Sequence, residues 1–174
     1  MLPRPFTLLV ATSLLAVGVL TPATATPTSS AVTVEQHTAD PSGARPGPGP
    51  RATAAKFGAN VMKWTNVARR HHGLHRFKKG SCVDGFADPW ARHMAKTQQL
   101  VHQDLGPILK RCKASQVAEN IAYGYPTAHA TVRAWMHSKG HRANILNPAL
   151  TNLGVGAARD ENGTWWVAQD FAAH

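Results

Sequence analysis

Between residues 54 and 72 the apolar positions Phe57, Val61, Trp64 and Ala68 recur at spacings of four, three and four, which stacks them on one face of an α-helix. Gly73 supplies the stop, and Arg69, Arg70, His71 and His72 fill the last turn, where cations favour the negative end of the helix dipole. Asp88-Pro89 reads as an N-cap followed by a first-turn proline. It opens a second helix that carries Trp90, Ala91, Met94, Ala95, Leu100 and Val101 toward His102, with Gly106-Pro107 as its terminator. The mixed stretch 118–124 reads as a strand or loop. Thr127 caps a third helix with Val132, Trp135 and Met136 facing inward, ending near Lys139-Gly140. A helical turn from His141 to Leu146 follows, closed by Asn147-Pro148.

Beyond Pro148 the period changes. Leu153, Val155 and Ala157 alternate, the run Trp165-Trp166-Val167-Ala168 with Phe171 favours strand, and Asp160-Glu161-Asn162-Gly163 joins the two, which together predict a β-hairpin. Neighbouring Trp165 and Trp166 point to opposite faces of a strand, so one of them is expected to reach solvent. Helices followed by a terminal hairpin predict an α+β domain, an α-β-α sandwich with a small antiparallel sheet covered by helices.

The first half of the chain changes this picture in one respect. Residues 1–25 carry Arg4, an apolar stretch from Phe6 to Leu20 and the small residues Ala23-Thr24-Ala25, the pattern of a cleaved secretory signal peptide. Residues 26–52 are rich in Pro, Gly, Ala, Ser and Thr, a tether that has no apolar surface to bury. The single domain is therefore expected over 53–174. No other apolar run reaches the length of a transmembrane span.

Charge adds a class of partner. Loss of the leader removes Arg4 and no acid, leaving eighteen Lys and Arg against nine Asp and Glu, a net +9. For an exported chain this charge points to anionic wall polymers or lipid headgroups rather than nucleic acid. In the same oxidising compartment two cysteines, Cys82 and Cys112, are expected to form one disulfide, worth about 3 to 4 kcal/mol in the chain-entropy picture. His71 and His75 have the spacing of a helical metal pair, but Gly73 between them ends the helix, so surface histidines are expected there.

Four strings stand in order along the domain: Asn66-x-x-Arg69 with Gly73-Leu74; Ala95 to His102; Ala118-Glu119-Asn120-Ile121-Ala122; and Trp135-Met136-His137-Ser138-Lys139-Gly140-His141-Arg142-Ala143-Asn144-Ile145-Leu146. Leu153-Gly154-Val155-Gly156 and Trp166-Val167-Ala168-Gln169-Asp170-Phe171 follow. Together they resemble the bacterial branch of the CAP superfamily, which also holds cysteine-rich secretory proteins, venom allergens and plant pathogenesis-related proteins. The resemblance implies a central cleft where His102, Glu119 and His141 converge; two imidazoles and a carboxylate suit a divalent ion, Zn²⁺ above all, and equally the roles of acid, base and positioning group. Ser138 and Asn144 would stand at its edge. The second glutamate of many eukaryotic members falls here on Ser138, so their full tetrad is impossible.

Arg142, Asn144 and Gln169 are expected to pin loops and the strand edge by hydrogen bonds. No catalytic residue is assigned, because no nucleophile elbow is present and no Asp is identifiable to orient a Ser138-centred triad. Three functions remain in view: a secreted, non-enzymatic binding module; a metal-assisted hydrolase of peptide or wall material with Glu119 as base or ligand; and a carrier of a small apolar ligand such as a sterol.

Overall fold

The computed structural model describes residues 54–174. The leader expected at 1–25 and the tether expected at 26–52 lie outside the described residues. Helix α1 (Ala54–His71) is followed by the two-residue strand β1 (Lys78–Lys79), α2 (Ser81–Thr97), the short α3 (Gly106–Arg111) and β2 (Gln116–Tyr123). Helices α4 (Ala128–His137) and α5 (Lys139–Leu146) come next, then the hairpin β3 (Asn152–Arg159) and β4 (Trp165–Ala173). The sheet runs β1-β3-β4-β2. The β2–β4 and β3–β4 pairs are antiparallel. The sheet is mixed rather than wholly antiparallel, because β1 joins β3 in parallel. Two lysines carry too little pattern to announce a strand.

Both faces of the sheet are covered. Phe57 and Val61 of α1, Val132 and Trp135 of α4 and Ile145 of α5 pack on Leu153, Ala157, Trp165, Val167 and Phe171. On the other face Ala87, Ala91, Met94 and Ala95 of α2 meet Ile121, Ala158, Trp166 and Ala168. Every residue of β4 is buried. The expectation that Trp165 or Trp166 reaches solvent therefore fails: they are 4% and 3% exposed. Trp165 stacks on Phe57, and the Trp166 indole donates to Asp160 at 3.0 Å.

The other correction concerns α2. It starts at Ser81, seven residues before the expected cap, and runs through Pro89. A proline inside a helix loses one hydrogen bond and presses its ring on the carbonyl four residues back, here that of Gly85. Burial of Val83, Ala87 and Ala91 against the sheet outweighs that cost. Asp88 caps nothing and pairs with Arg92. The helix stops at Thr97 because Gln98 turns left-handed, φ 56°, so residues 98–105 form a loop, and Gly106-Pro107 opens α3 instead of closing α2. Gly154 and Gly156 explain how closely α2 lies on β3. A Cβ at either would overlap α2 backbone, at Val83–Asp84 and at the Ala87 carbonyl respectively.

The remaining ends follow local chemistry. Gly73 (φ 72°) ends α1, with Gly73 and Leu74 donating to the carbonyls of Arg70 and Arg69, the αL stop expected of it. Thr127 caps α4 by accepting from the Ala130 N–H at 3.1 Å. Cys82 and Cys112 are disulfide-bonded with Cα atoms 5.7 Å apart, tying the start of α2 to the end of α3.

Candidate functional site

The site is built on β2, an edge strand whose alternation sends consecutive residues to opposite faces. Glu119 faces the α2 side and Asn120 the α5 side. Glu119 is 1% exposed and stands directly across from Asp170 of β4, itself fully buried. Loop 98–105 closes over the two carboxyl groups. His102 Nδ1 donates to Glu119 Oε1 at 2.6 Å, and the Gln103 backbone N–H donates to the same oxygen at 3.2 Å. Gln103 Nε2 reaches Glu119 Oε2 at 2.7 Å and both Asp170 oxygens at 3.1 Å.

Two carboxylates in one dry site cannot both ionise at low cost. Burial first, then the charge of Glu119 and its hydrogen bond, push the Asp170 carboxyl up to about 8 against the opposing donation from Gln103. Near neutral pH Asp170 therefore holds the proton and donates it to Glu119. With Nδ1 bonded to Glu119, Nε2 is the remaining nitrogen of the His102 ring.

The α5 side is locked separately. Asn120 Nδ2 donates to the His141 carbonyl at 3.2 Å and to Gln169 Oε1 at 3.2 Å. Asn144 Nδ2 donates to the Glu119 carbonyl at 3.1 Å and to Asn120 Oδ1 at 2.9 Å. Gln169 Nε2 completes the chain on Thr65 Oγ1 at 2.7 Å. Asn144 and Gln169 thus hold β2 and β4 to the helices, and Arg142 reaches His72 Nε2 at 3.0 Å.

His141 is 8% exposed. With Leu100, Ile121, Tyr125 and Trp135 it lines a pocket of about 10 Å³, room for at most about one water molecule. Ser138 is buried at the junction of α4 and α5, where its carbonyl accepts from the Arg142 N–H at 2.9 Å. His71 and His75 are exposed, on either side of the Gly73 turn.

Of the expected ligand set, His102 and Glu119 meet, but among the described residues no three His, Cys, Asp or Glu side chains form a group able to hold an ion. The donor chemistry gives the reason on the Glu119 side: its oxygens already accept from His102, Gln103 and Asp170. Glu119 as placed suits the partner that orients a histidine, not a ligand in direct contact with metal.

Asp170 and Gln103 are the members that sequence reasoning missed. The signal for Asp170 is an acid in the middle of an apolar strand, on the opposite face from Gln169.

The order of elements, the mixed sheet between helices and the two polar strings meeting at β2 coincide with a match of residues 62–171 to the model of the cysteine-rich secretory protein family, CAP. The chain belongs to the CAP family.

Among CAP relatives, the chain is 31% identical over 125 residues to the uncharacterized protein YkwD of Bacillus subtilis, covering 68% of this chain and 48% of YkwD. It is 32% identical over 106 residues to the uncharacterized membrane protein YlbC of the same organism, covering 57% and 31%. The chain thus spans about half or less of these curated relatives. An extracellular SCP-domain protein of Bacillus anthracis superposes with TM-score 0.62 at 26% identity, covering 74% of this chain and 45% of that one. An outer surface protein of Borrelia burgdorferi shares the fold, with TM-score 0.63 at 16% identity over 70% of this chain and 96% of its own.

A second polar motif of the CAP domain is structural. Arg69 is 3% exposed. It donates to the carbonyls of His75 (2.6 Å), Ile145 (2.7 Å), Asn147 (3.0 Å) and Leu150 (3.4 Å). Its guanidinium lies 3.9 Å from the Phe77 ring centroid. Burial pulls its pKa below the ordinary value. Asn66 brackets Phe77, accepting from its N–H at 2.7 Å and donating to its carbonyl at 3.2 Å.

Proposed function

We propose that this CAP domain is an exported binding module that engages anionic material of the cell envelope without turning it over. The observation that carries the reading is the closed state of its central carboxylate. Glu119 is 1% exposed and its two oxygens are taken up by three residues around it. A general base must reach the proton it abstracts, directly or through one water, and Glu119 as placed reaches only its own loop and Asp170. The network acts as a clamp that holds loop 98–105 on the sheet. Export is supported by the leader pattern at residues 1–25, the disulfide and the extracellular relatives.

The test is a paired assay on the full chain with purified cell-envelope material, scoring sedimentation of the protein and release of soluble fragments. The expected result is co-sedimentation with no fragment release, unchanged in His102→Ala. Fragment release that disappears in His102→Ala would overturn the reading.

One observation favours a second reading, metal binding. With Nδ1 committed to Glu119, His102 is a carboxylate-oriented ring whose second nitrogen is Nε2, an arrangement common to metal-ligating histidines. A bound divalent ion would supply Lewis acidity, with His102 and His141 the imidazoles able to hold it and Glu119 orienting the first. Titration of Zn²⁺ by calorimetry into wild type, His102→Ala and His141→Ala decides between the readings. Binding that both substitutions remove supports the metal site, and heats identical in all three dismiss it.

A further inference from the structure

Part of this domain's positive charge stands on segments joined at one end of the fold, and that end is built. Of nineteen Lys and Arg only Arg4, Arg45 and Arg51 precede residue 54, and of nine Asp and Glu only Glu35 and Asp40, leaving sixteen cations against seven acids in 54–174. No acid occurs between Asp40 and Asp84. The last turn of α1, loop 72–77, β1 and the start of α5 therefore present Arg70, Arg76, Lys78, Lys139 and Arg142, all exposed. The one described ion pair in this region is Lys79 with Asp84.

Arg142 is steered without being neutralised. His72 Nδ1 lies 2.9 Å from the Ala68 carbonyl and donates to it, so its Nε2 is the acceptor for Arg142 Nη2 at 3.0 Å. A guanidinium positioned by a neutral imidazole keeps its full charge and its remaining N–H groups for an external anion. The surface is also rigid from beneath. Arg69 bonds the carbonyl of His75 in the loop and that of Ile145 in α5, fixing the two basic segments relative to each other.

We propose that this end of the domain is the docking surface for a linear phosphodiester polymer without bases. Three arginines suit bidentate contact with phosphate oxygens. The large apolar side chains exposed among the described residues are Val101 and Leu109. They stand in loop 98–105 and α3, so the basic end has neither an apolar anchor for a bilayer nor an exposed Phe, Tyr or Trp ring for stacking a nucleobase. The proposal rests on the envelope-binding reading and names its ligand.

The experiment measures binding of the full chain to labelled poly(glycerol phosphate) by fluorescence anisotropy across a salt series. It compares the triple variant Arg70→Ser, Arg76→Ser, Arg142→Ser with a control triple of equal charge, Lys96→Ser, Lys110→Ser, Arg133→Ser, both checked for unchanged melting. The expected result is an affinity loss of about tenfold or more and a salt slope shallower by about two to three for the first triple. The control should lose less than about threefold. Equal losses from the two triples would overturn the proposal in favour of diffuse net charge, leaving the envelope-binding reading in place. Preference for phosphatidylglycerol vesicles, removed by Val101→Ser with Leu109→Ser, would overturn it in favour of a membrane.

Discussion

Two buried polar centres flank this sheet, and they solve the same problem in opposite ways. Arg69, on the α1 side, is a lone cation whose donors meet the carbonyls of four residues. Glu119 and Asp170, on the α2 side, are two acids directly across a strand pair that share one proton under Gln103. The first has neutral partners and no group that titrates near neutrality. The second sets a carboxylate against a carboxyl group, and its cohesion depends on that proton remaining. One centre is a fixed clamp; the other is a clamp with a pH range.

The largest break in this comparison is Arg69→Met. It keeps the apolar stem but leaves four carbonyls without their donor, at a cost expected to be about 4 kcal/mol or more. Urea unfolding should show that loss nearly unchanged from pH 5 to pH 9.

Asp170→Asn sharpens the contrast. A carboxyl whose folded pKa is raised contributes stability that is full below its unfolded value and lost as pH rises through about 8. Wild type should therefore lose stability with a slope approaching about 1.4 kcal/mol per pH unit between about pH 5 and pH 7. Asn mimics the protonated acid, can still donate to Glu119, and should flatten that slope. The variant would then be more stable than wild type at pH 8 and not at pH 4. Parallel slopes for the two proteins would remove Asp170 as their source.

A smaller effect is expected for Glu119→Gln, which keeps the shape but weakens the charge-assisted bond to His102. We expect about 2 kcal/mol of lost stability. The loss should be localised, with faster amide exchange in loop 98–105 and unchanged exchange in α1. The smallest change is expected for Arg142→Ser, an exposed side chain bonded to one imidazole, with stability moving by less than about 0.5 kcal/mol.

Much of this was legible in the chain. The four-three-four rhythm of α1, its Gly73 stop, the Thr127 cap, the terminal hairpin and the cysteine pair are local or compartmental signals, and each lies where its pattern puts it. What stayed hidden depends on long-range packing. Pro89 reads as a helix start unless one knows that residues 81–87 lie on a sheet. One of Trp165 and Trp166 reads as exposed unless both faces of the sheet are covered. His102 reads as a helix end unless Gln98 is known to turn left-handed. Cross-strand register set Glu119 against Asp170, and no spacing within a single segment encodes it. Gln103 carries no pattern of its own. The family motif drew attention to Glu119, yet the commitment of its oxygens to neighbouring donors belongs to the folded loop alone.

The dovetail of α2 on β3 has a consequence for how this domain can change over generations. At Gly154 and Gly156 the helix backbone fills the space where any other residue would begin. In a library of all single substitutions these two positions should therefore accept almost nothing. The seam they form is closed to substitution, whereas an exposed side chain of the loops or the basic end can be exchanged without moving a backbone.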